Sequence, residues 1–246
     1  MSGRRGLVLP AVTAIAAFCV LVGLGTWQLE RLRWKEGVIA AVAARADAPA
    51  GPLPDAADWN KLDRGHDEYR HIRVSGTFDH AGEVLVYTVR GEKEPGLKGQ
   101  GFYVITPLMR TDGPQVLVNR GFVPQDRRDP ATRAEGQVAG EVEVRGLLRL
   151  PEEASWFVPA NDPARNAFYR RDPGEIAAAR GLQGAAPFII DADDAPNPGG
   201  LPQGGVTRRV FPNRHLEYAL TWYGLAATLV GVCIAVAWTR RRRQES

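Results

Sequence analysis

Two stretches free of charged residues, 7–29 and 218–238, stand near the two ends of this 246-residue chain. As helices rising 1.5 Å per residue, each would cover the ~30 Å hydrocarbon core of a bilayer. The mean hydropathy of −0.23 conceals them, because the long middle is polar. A cleaved leader would have an apolar core of about 7–15 residues, closed by small side chains. The first run is longer and ends in Trp27-Gln28-Leu29-Glu30-Arg31, so it reads as an uncleaved anchor.

Charge sets the expected topology. Arg4 and Arg5 precede the first run, and Arg240, Arg241, Arg242 and Arg243 follow the second. Setting aside those six and Glu245 leaves 25 of 31 Lys and Arg against 27 of 28 Asp and Glu. The middle is slightly acidic, and the pI of about 9.0 arises in the short tails. A basic pI of that origin does not point to a nucleic-acid partner. The C-terminal arginine run is a strong cytoplasmic signal, and long loops translocate despite nearby charges such as Arg31, Arg33 and Lys35. Both termini are expected in the cytoplasm and the middle outside. The few residues ahead of the first run leave no room for an Arg-rich transit peptide, which favours a multi-pass protein of the bacterial inner membrane with a periplasmic domain. Cys19 and Cys233 both fall inside the apolar runs, so the exported part has neither disulfide nor thiol. A thiol-based copper or redox site there is excluded.

The expected segments are a cytoplasmic tail at 1–6, a membrane helix at 7–29 and a helical extension with linker at 30–58. A periplasmic β-rich domain follows at 59–212, then a membrane helix with an interfacial first turn at 213–238, and a basic tail at 239–246. Asp47-Ala48-Pro49-Ala50-Gly51-Pro52-Leu53-Pro54 stops the first helix, since each proline disfavours helix for itself and its predecessor. From Tyr69 the period changes to two: Ile72, Val74 and Phe78 are apolar, and His71, Arg73, Ser75 and Thr77 face the other way. Further strands are expected at 84–90, 102–108, 115–123, 141–150 and 188–191. Their spacing favours an antiparallel sheet, curled or closed into a barrel, in an α+β domain enclosed by two membrane helices. Asp172-Pro173-Gly174-Glu175 has the N-cap, first-turn proline and third-position glutamate of a helix start, ending at Gly181. Residues 191–205, rich in Pro and Gly, read as a flexible return to the membrane.

An enzyme is poorly supported. Ser75 and Ser155 are the only serines between the runs, and Ser75 lies in mid-strand without a nucleophile elbow. His66, His71 and His80 are loosely spaced and lack a tight ligand pair, so solvated histidines are expected rather than a metal site. The glycine-bearing loop 96–101 has no following helix to bind phosphate.

The membrane junction differs. With both ends cytoplasmic, the exit of the first span and the entry of the second share the outer surface. Trp27, Arg31 and Trp34 occupy one helix face at the exit. His215, Tyr218 and Trp222 occupy one face at the entry, where Pro212-Asn213 can begin and cap the helix. Ala227, Gly231 and Ala235 form a stripe of small residues on which two spans could pack. Aromatic belts beside Arg or Lys are routine at membrane interfaces. The sharper reading is a haem seat: His215 as axial ligand to iron, Trp27, Tyr218 and Trp222 against the macrocycle, and Arg31, Arg33 or Arg214 on the propionates.

Gly25-Thr26-Trp27-Gln28, followed by Arg31, Trp34 and Lys35, resembles the signature closing the first membrane helix of the surfeit locus protein 1 family. Asn213-Arg214-His215-Leu216, with Tyr218-Ala219 and Thr221-Trp222-Tyr223-Gly224-Leu225-Ala226, is similar to its second signature. Tyr69, Val74, Gly76, Thr106-Pro107-Leu108 and Val118-Asn119-Arg120-Gly121-Phe122-Val123-Pro124 also match, with Phe122 where the family more often has Trp. The linker and residues 191–205 have no counterpart. The resemblance implies a non-enzymatic assembly factor for a haem–copper terminal oxidase, in association with haem A synthase. It would deliver or insert haem A into the catalytic oxidase subunit, with His215 as the haem contact. That favours the haem seat over a plain aromatic belt. The rival readings are a membrane scaffold that binds no haem and an anchored periplasmic hydrolase. The client is a cytochrome c or a quinol oxidase, and the sequence sets no oligomeric state.

Overall fold

The computed structural model describes residues 5–92, 94, 96–207 and 211–245. Arg4 and Ser246 of the two tails lie outside the described residues. In chain order the elements are helix α1 Arg5–Ala46, strands β1 Gly51–Pro52, β2 His71–Phe78, β3 Val84–Arg90, β4 Gly99–Met109, β5 Val116–Pro124 and β6 Glu141–Arg149, helix α2 Pro173–Ala179, strand β7 Ile189–Ala192 and helix α3 His215–Glu245. They fall into two units, residues 1–41 with 210–246, and residues 42–209.

The first unit is made by α1 and α3, both long and apolar enough to cross a bilayer. Val8, Leu9, Val12, Ile15 and Val20 of α1 are exposed, as are Leu220, Val232 and Ile234 of α3. So much apolar surface suits lipid rather than water and suggests membrane anchoring. α1 continues unbroken past the apolar run until Asp47-Ala48-Pro49, as the prolines dictate. The two helices touch where Gly25 lies under the ring of Tyr223. A Cβ there would fall 2.9 Å from ring atoms, so the approach requires glycine. Thr26 donates its hydroxyl to the Val22 carbonyl at 2.9 Å and accepts from the Tyr223 hydroxyl at 3.1 Å. Gln28 meets His215 further along, so the helices run antiparallel through this contact.

The stripe of Ala227, Gly231 and Ala235 does not serve as expected. All three are exposed, and nothing lies within 4 Å of a Cβ added at Gly231. Ala219 and Ala226 are buried instead. One residue turns a helix by about 100°, which moves the stripe onto another face.

The second unit is a seven-stranded mixed sheet in the order β1-β2-β6-β7-β5-β4-β3. β2 also meets β4 through Thr77–Met109 and Phe78–Leu108. Two pairings, β1 with β2 and β5 with β7, are parallel, which departs from the expected antiparallel sheet. β7 returns after a long excursion through α2 and inserts between β5 and β6, antiparallel to one and parallel to the other. A crossover of that length permits a parallel neighbour where a hairpin would not. β5 is buried on both faces: Val116 and Val118 pack with Ile190, Leu148 and Phe188, while Leu117 packs with Ile189, Ile105, Ile176 and Phe168. Burying each such side chain contributes roughly 1.5–3 kcal/mol.

Helix α2 begins as its sequence predicts, with Asp172 accepting from the Glu175 amide at 3.0 Å and Pro173 at its first position. The segment 191–205 is bound rather than a flexible return. Gly121 has φ of +127°, and a side chain there would overlap the Gln203 carbonyl. Phe122 and Gln203 consequently exchange two backbone hydrogen bonds of 2.9 Å, and the Gly205 amide donates to Ala192 at 3.0 Å. The linker is also attached, through β1 and through Arg73, which donates to the Ala50 carbonyl at 2.9 Å.

Candidate functional site

The described polar side chains form two kinds of centre. In the sheet unit, Asp191 of β7 is buried. One carboxylate oxygen accepts from the Asn119 amide at 2.8 Å and from Arg171 at 3.0 Å. The other accepts from Arg149 at 3.1 Å, Arg171 at 3.1 Å and the Thr207 hydroxyl at 2.9 Å. Arg149 also donates to Glu68 at 2.8 Å, and Arg171 to Glu152 at 2.8 Å. Burial alone would raise the Asp191 carboxyl, but Arg171 and Arg149 beside it hold it below the usual carboxylate range. Burial likewise pulls the Arg171 guanidinium down, and Asp191 and Glu152 more than reverse this. Every oxygen of Asp191 is answered by protein donors, which marks the cluster as a structural tie joining β5, β6 and β7.

Arg120 is another buried cation, brought by burial down to about 10 with Glu83 opposing. It donates to the Gly136 carbonyl, lies 4.7 Å over the Phe78 ring and approaches His80 Nδ1 at 3.4 Å. His80 donates from Nε2 to the Val138 carbonyl at 2.8 Å. His71 has both ring nitrogens engaged, at 2.7 Å from the Ala48 carbonyl and 2.7 Å from Asp193. His71 and His80 are thus partly buried structural residues, contrary to the expectation of solvated ones, while His66 is exposed beside Asp63. Ser75 and Ser155 are exposed.

In the helical unit His215 is different. It is the first residue of α3, where its amide approaches the Asn213 side chain at 3.4 Å. The half-buried ring lies with Nδ1 2.7 Å from Gln28 Oε1. Its Nε2 has no hydrogen-bond partner among the described residues. Since the amide oxygen only accepts, Nδ1 carries the hydrogen, and a neutral ring then keeps its lone pair on Nε2. A neutral imidazole held in this way can offer Nε2 as an acceptor or a ligand.

Other candidates take different places. Trp222 is half-buried and, at i+7, shares the His215 face of α3. Trp27 and Tyr218 are each 53% exposed, and Arg214 is exposed. The exposed Arg31 lies one turn beyond Gln28, with its guanidinium 4.4 Å from the centroid of the exposed Trp34. Trp27, Arg31, Arg214 and Tyr218 make no side-chain hydrogen bond or ring contact with His215 among the described residues. Gln28 was absent from the sequence-derived site. Its signal was a carboxamide within an otherwise apolar run, three residues from the glycine at which the helices touch.

The helical unit thus pairs two long apolar helices through Gly25 and Tyr223 and through Gln28 and His215. A sequence model described as the SURF1 family matches residues 15–227. Surfeit locus protein 1 of Homo sapiens is 43% identical over 217 residues, covering 83% of this chain and 70% of that protein. Surfeit locus protein 1 of Takifugu rubripes is 40% identical over 233 residues, 90% of either chain. The SURF1-like protein of Drosophila melanogaster is 34% identical over 234 residues, covering 90% of this chain and 72% of that one. The chain belongs to the SURF1 family.

Proposed function

We propose that this protein is a non-enzymatic assembly factor for a haem–copper terminal oxidase, binding haem A transiently and aiding its insertion into the catalytic oxidase subunit. Family membership supports the assembly role, through the resemblance of both end motifs. The observation that carries the haem reading is the His215 ring, with Nδ1 on Gln28 and Nε2 unbonded among the described residues. The donor set fits the group. His215 would supply a nitrogen ligand, Trp222 an aromatic wall, and Arg31 and Arg214 cations for the propionates. Trp27 and Tyr218 offer further ring surface in the lipid interface. Bound haem would supply a redox-active iron centre, and ligation by one protein side chain would ease its release to an acceptor.

In this reading α1 and α3 span the bacterial inner membrane with both termini cytoplasmic. The mixed-sheet domain lies in the periplasm, where it docks haem A synthase or the oxidase subunit. The test is the visible spectrum of the full chain purified from cells that make haem A. A Soret band is expected for the wild type and its loss for His215→Ala. Full haem content and an unchanged band in the variant would remove His215 as the ligand. Copurification of oxidase partners without pigment would favour a scaffold.

A further inference from the structure

We infer that Gln28 is the positioning residue of the His215 site: its side-chain oxygen takes the Nδ1 hydrogen and so makes Nε2 the iron-binding atom. The inference rests on the haem reading above. Gln28 and His215 lie 187 residues apart in sequence on different helices, and their 2.7 Å contact answers the ring hydrogen within an apolar segment. At this half-buried edge of the two helices the ring N–H and the amide oxygen answer each other, so each side chain orients the other. The fixed hydrogen has a chemical consequence, because a neutral imidazole that donates from Nδ1 can ligate only through Nε2.

The choice of an amide also matters. A carboxylate in this place would draw the Nδ1 hydrogen further and make the imidazole a stronger donor to iron. A neutral carboxamide orients the ring without that strengthening. A protein that must surrender its haem gains from such a ligand, so Gln28 sets both the ligating atom and the ease of release.

The experiment uses the full chain in detergent, loaded with haem A extracted from an oxidase, in the wild type and in Gln28→Leu, Gln28→Glu and His215→Ala. Affinity, the iron–histidine stretching frequency of the ferrous form, the reduction potential and the rate of haem loss to apomyoglobin are measured. Gln28→Leu is expected to lose about 10- to 100-fold in affinity and to lower the stretching frequency. Gln28→Glu is expected to retain haem, raise that frequency, lower the potential and slow the loss to apomyoglobin. A purely structural role for Gln28 would not produce these opposite shifts. The proposal is overturned if Gln28→Glu fails as Gln28→Leu does, or if neither changes the stretch while His215→Ala abolishes it. Should Gln28→Leu not fold, the near-isosteric Gln28→Glu decides alone. If His215→Ala keeps haem and stretch, the haem reading itself falls, and this inference with it.

Discussion

Asp191 and His215 are both polar groups withdrawn from water, and they are treated in opposite ways. Asp191 has at least two donors on each oxygen, supplied from β5, β6 and the segments flanking α2 and β7. His215 has one nitrogen bonded and one without a partner among the described residues. A fully satisfied buried charge stabilises by fixing its neighbours, and it has no capacity left for a ligand. A half-satisfied imidazole retains that capacity. The Asp191 carboxylate is spent on fixing its neighbours, whereas the His215 ring keeps one nitrogen without a partner among the described residues.

Removing the centre of the closed cluster should have the largest effect. Asp191→Ala leaves Arg149 and Arg171 facing each other without their shared counter-charge. Breaking a buried ion network from one side costs about 3–5 kcal/mol. Denaturant or thermal unfolding of the purified protein should show a loss of that order, and a change below about 1 kcal/mol would contradict the structural role of Asp191. Next in size is Gly121→Ala, where φ of +127° and the Gln203 carbonyl both oppose a side chain. Strain of this kind costs on the order of 1–3 kcal/mol, and hydrogen exchange at the Phe122 and Gln203 amides should rise with it.

Acid should distinguish the two centres further. A carboxyl held low in the folded chain takes up a proton more readily once the chain unfolds. Its stabilising contribution is complete above the unfolded value of 3.8 and is lost as pH falls through the lower folded value. Each pKa unit of that depression is worth about 1.4 kcal/mol. Unfolding free energy measured from about pH 5 downwards should therefore fall, and Asp191→Asn should flatten this limb. An unaltered slope in the variant would assign acid sensitivity to other carboxyls.

The fold was legible where local chemistry decides it. Charge-free runs marked α1 and α3, alternation marked β2 and β6, and Asp172-Pro173 marked the start of α2. Pairing was not legible, because the place of β7 between β5 and β6 is set by which apolar faces meet after the chain returns. Asp191 closes the expected strand 188–191 and opens a Pro- and Gly-rich stretch, and nothing local marks it as a hub, because its partners Asn119, Arg149 and Arg171 come from distant segments. His215 stood out as a lone histidine at the edge of an apolar run. Gln28 did not, because it points about 100° away from the face that Trp27 shares with Arg31 and Trp34.

The smallest stability effect should come from His215, the proposed haem ligand. His215→Ala removes one hydrogen bond to a half-buried amide, and Gln28 can turn its oxygen toward interfacial water. Such a loss amounts to about 1 kcal/mol or less. His80→Ala should cost more, because it strips partners from Arg120 and from the Val138 carbonyl together. Melting the two variants side by side in the same detergent puts the contrast to the test. If His215→Ala destabilises the chain as much as His80→Ala does, the imidazole is a packing element like the others. If it melts with the wild type while losing pigment, the unanswered nitrogen is retained for a ligand rather than for the fold.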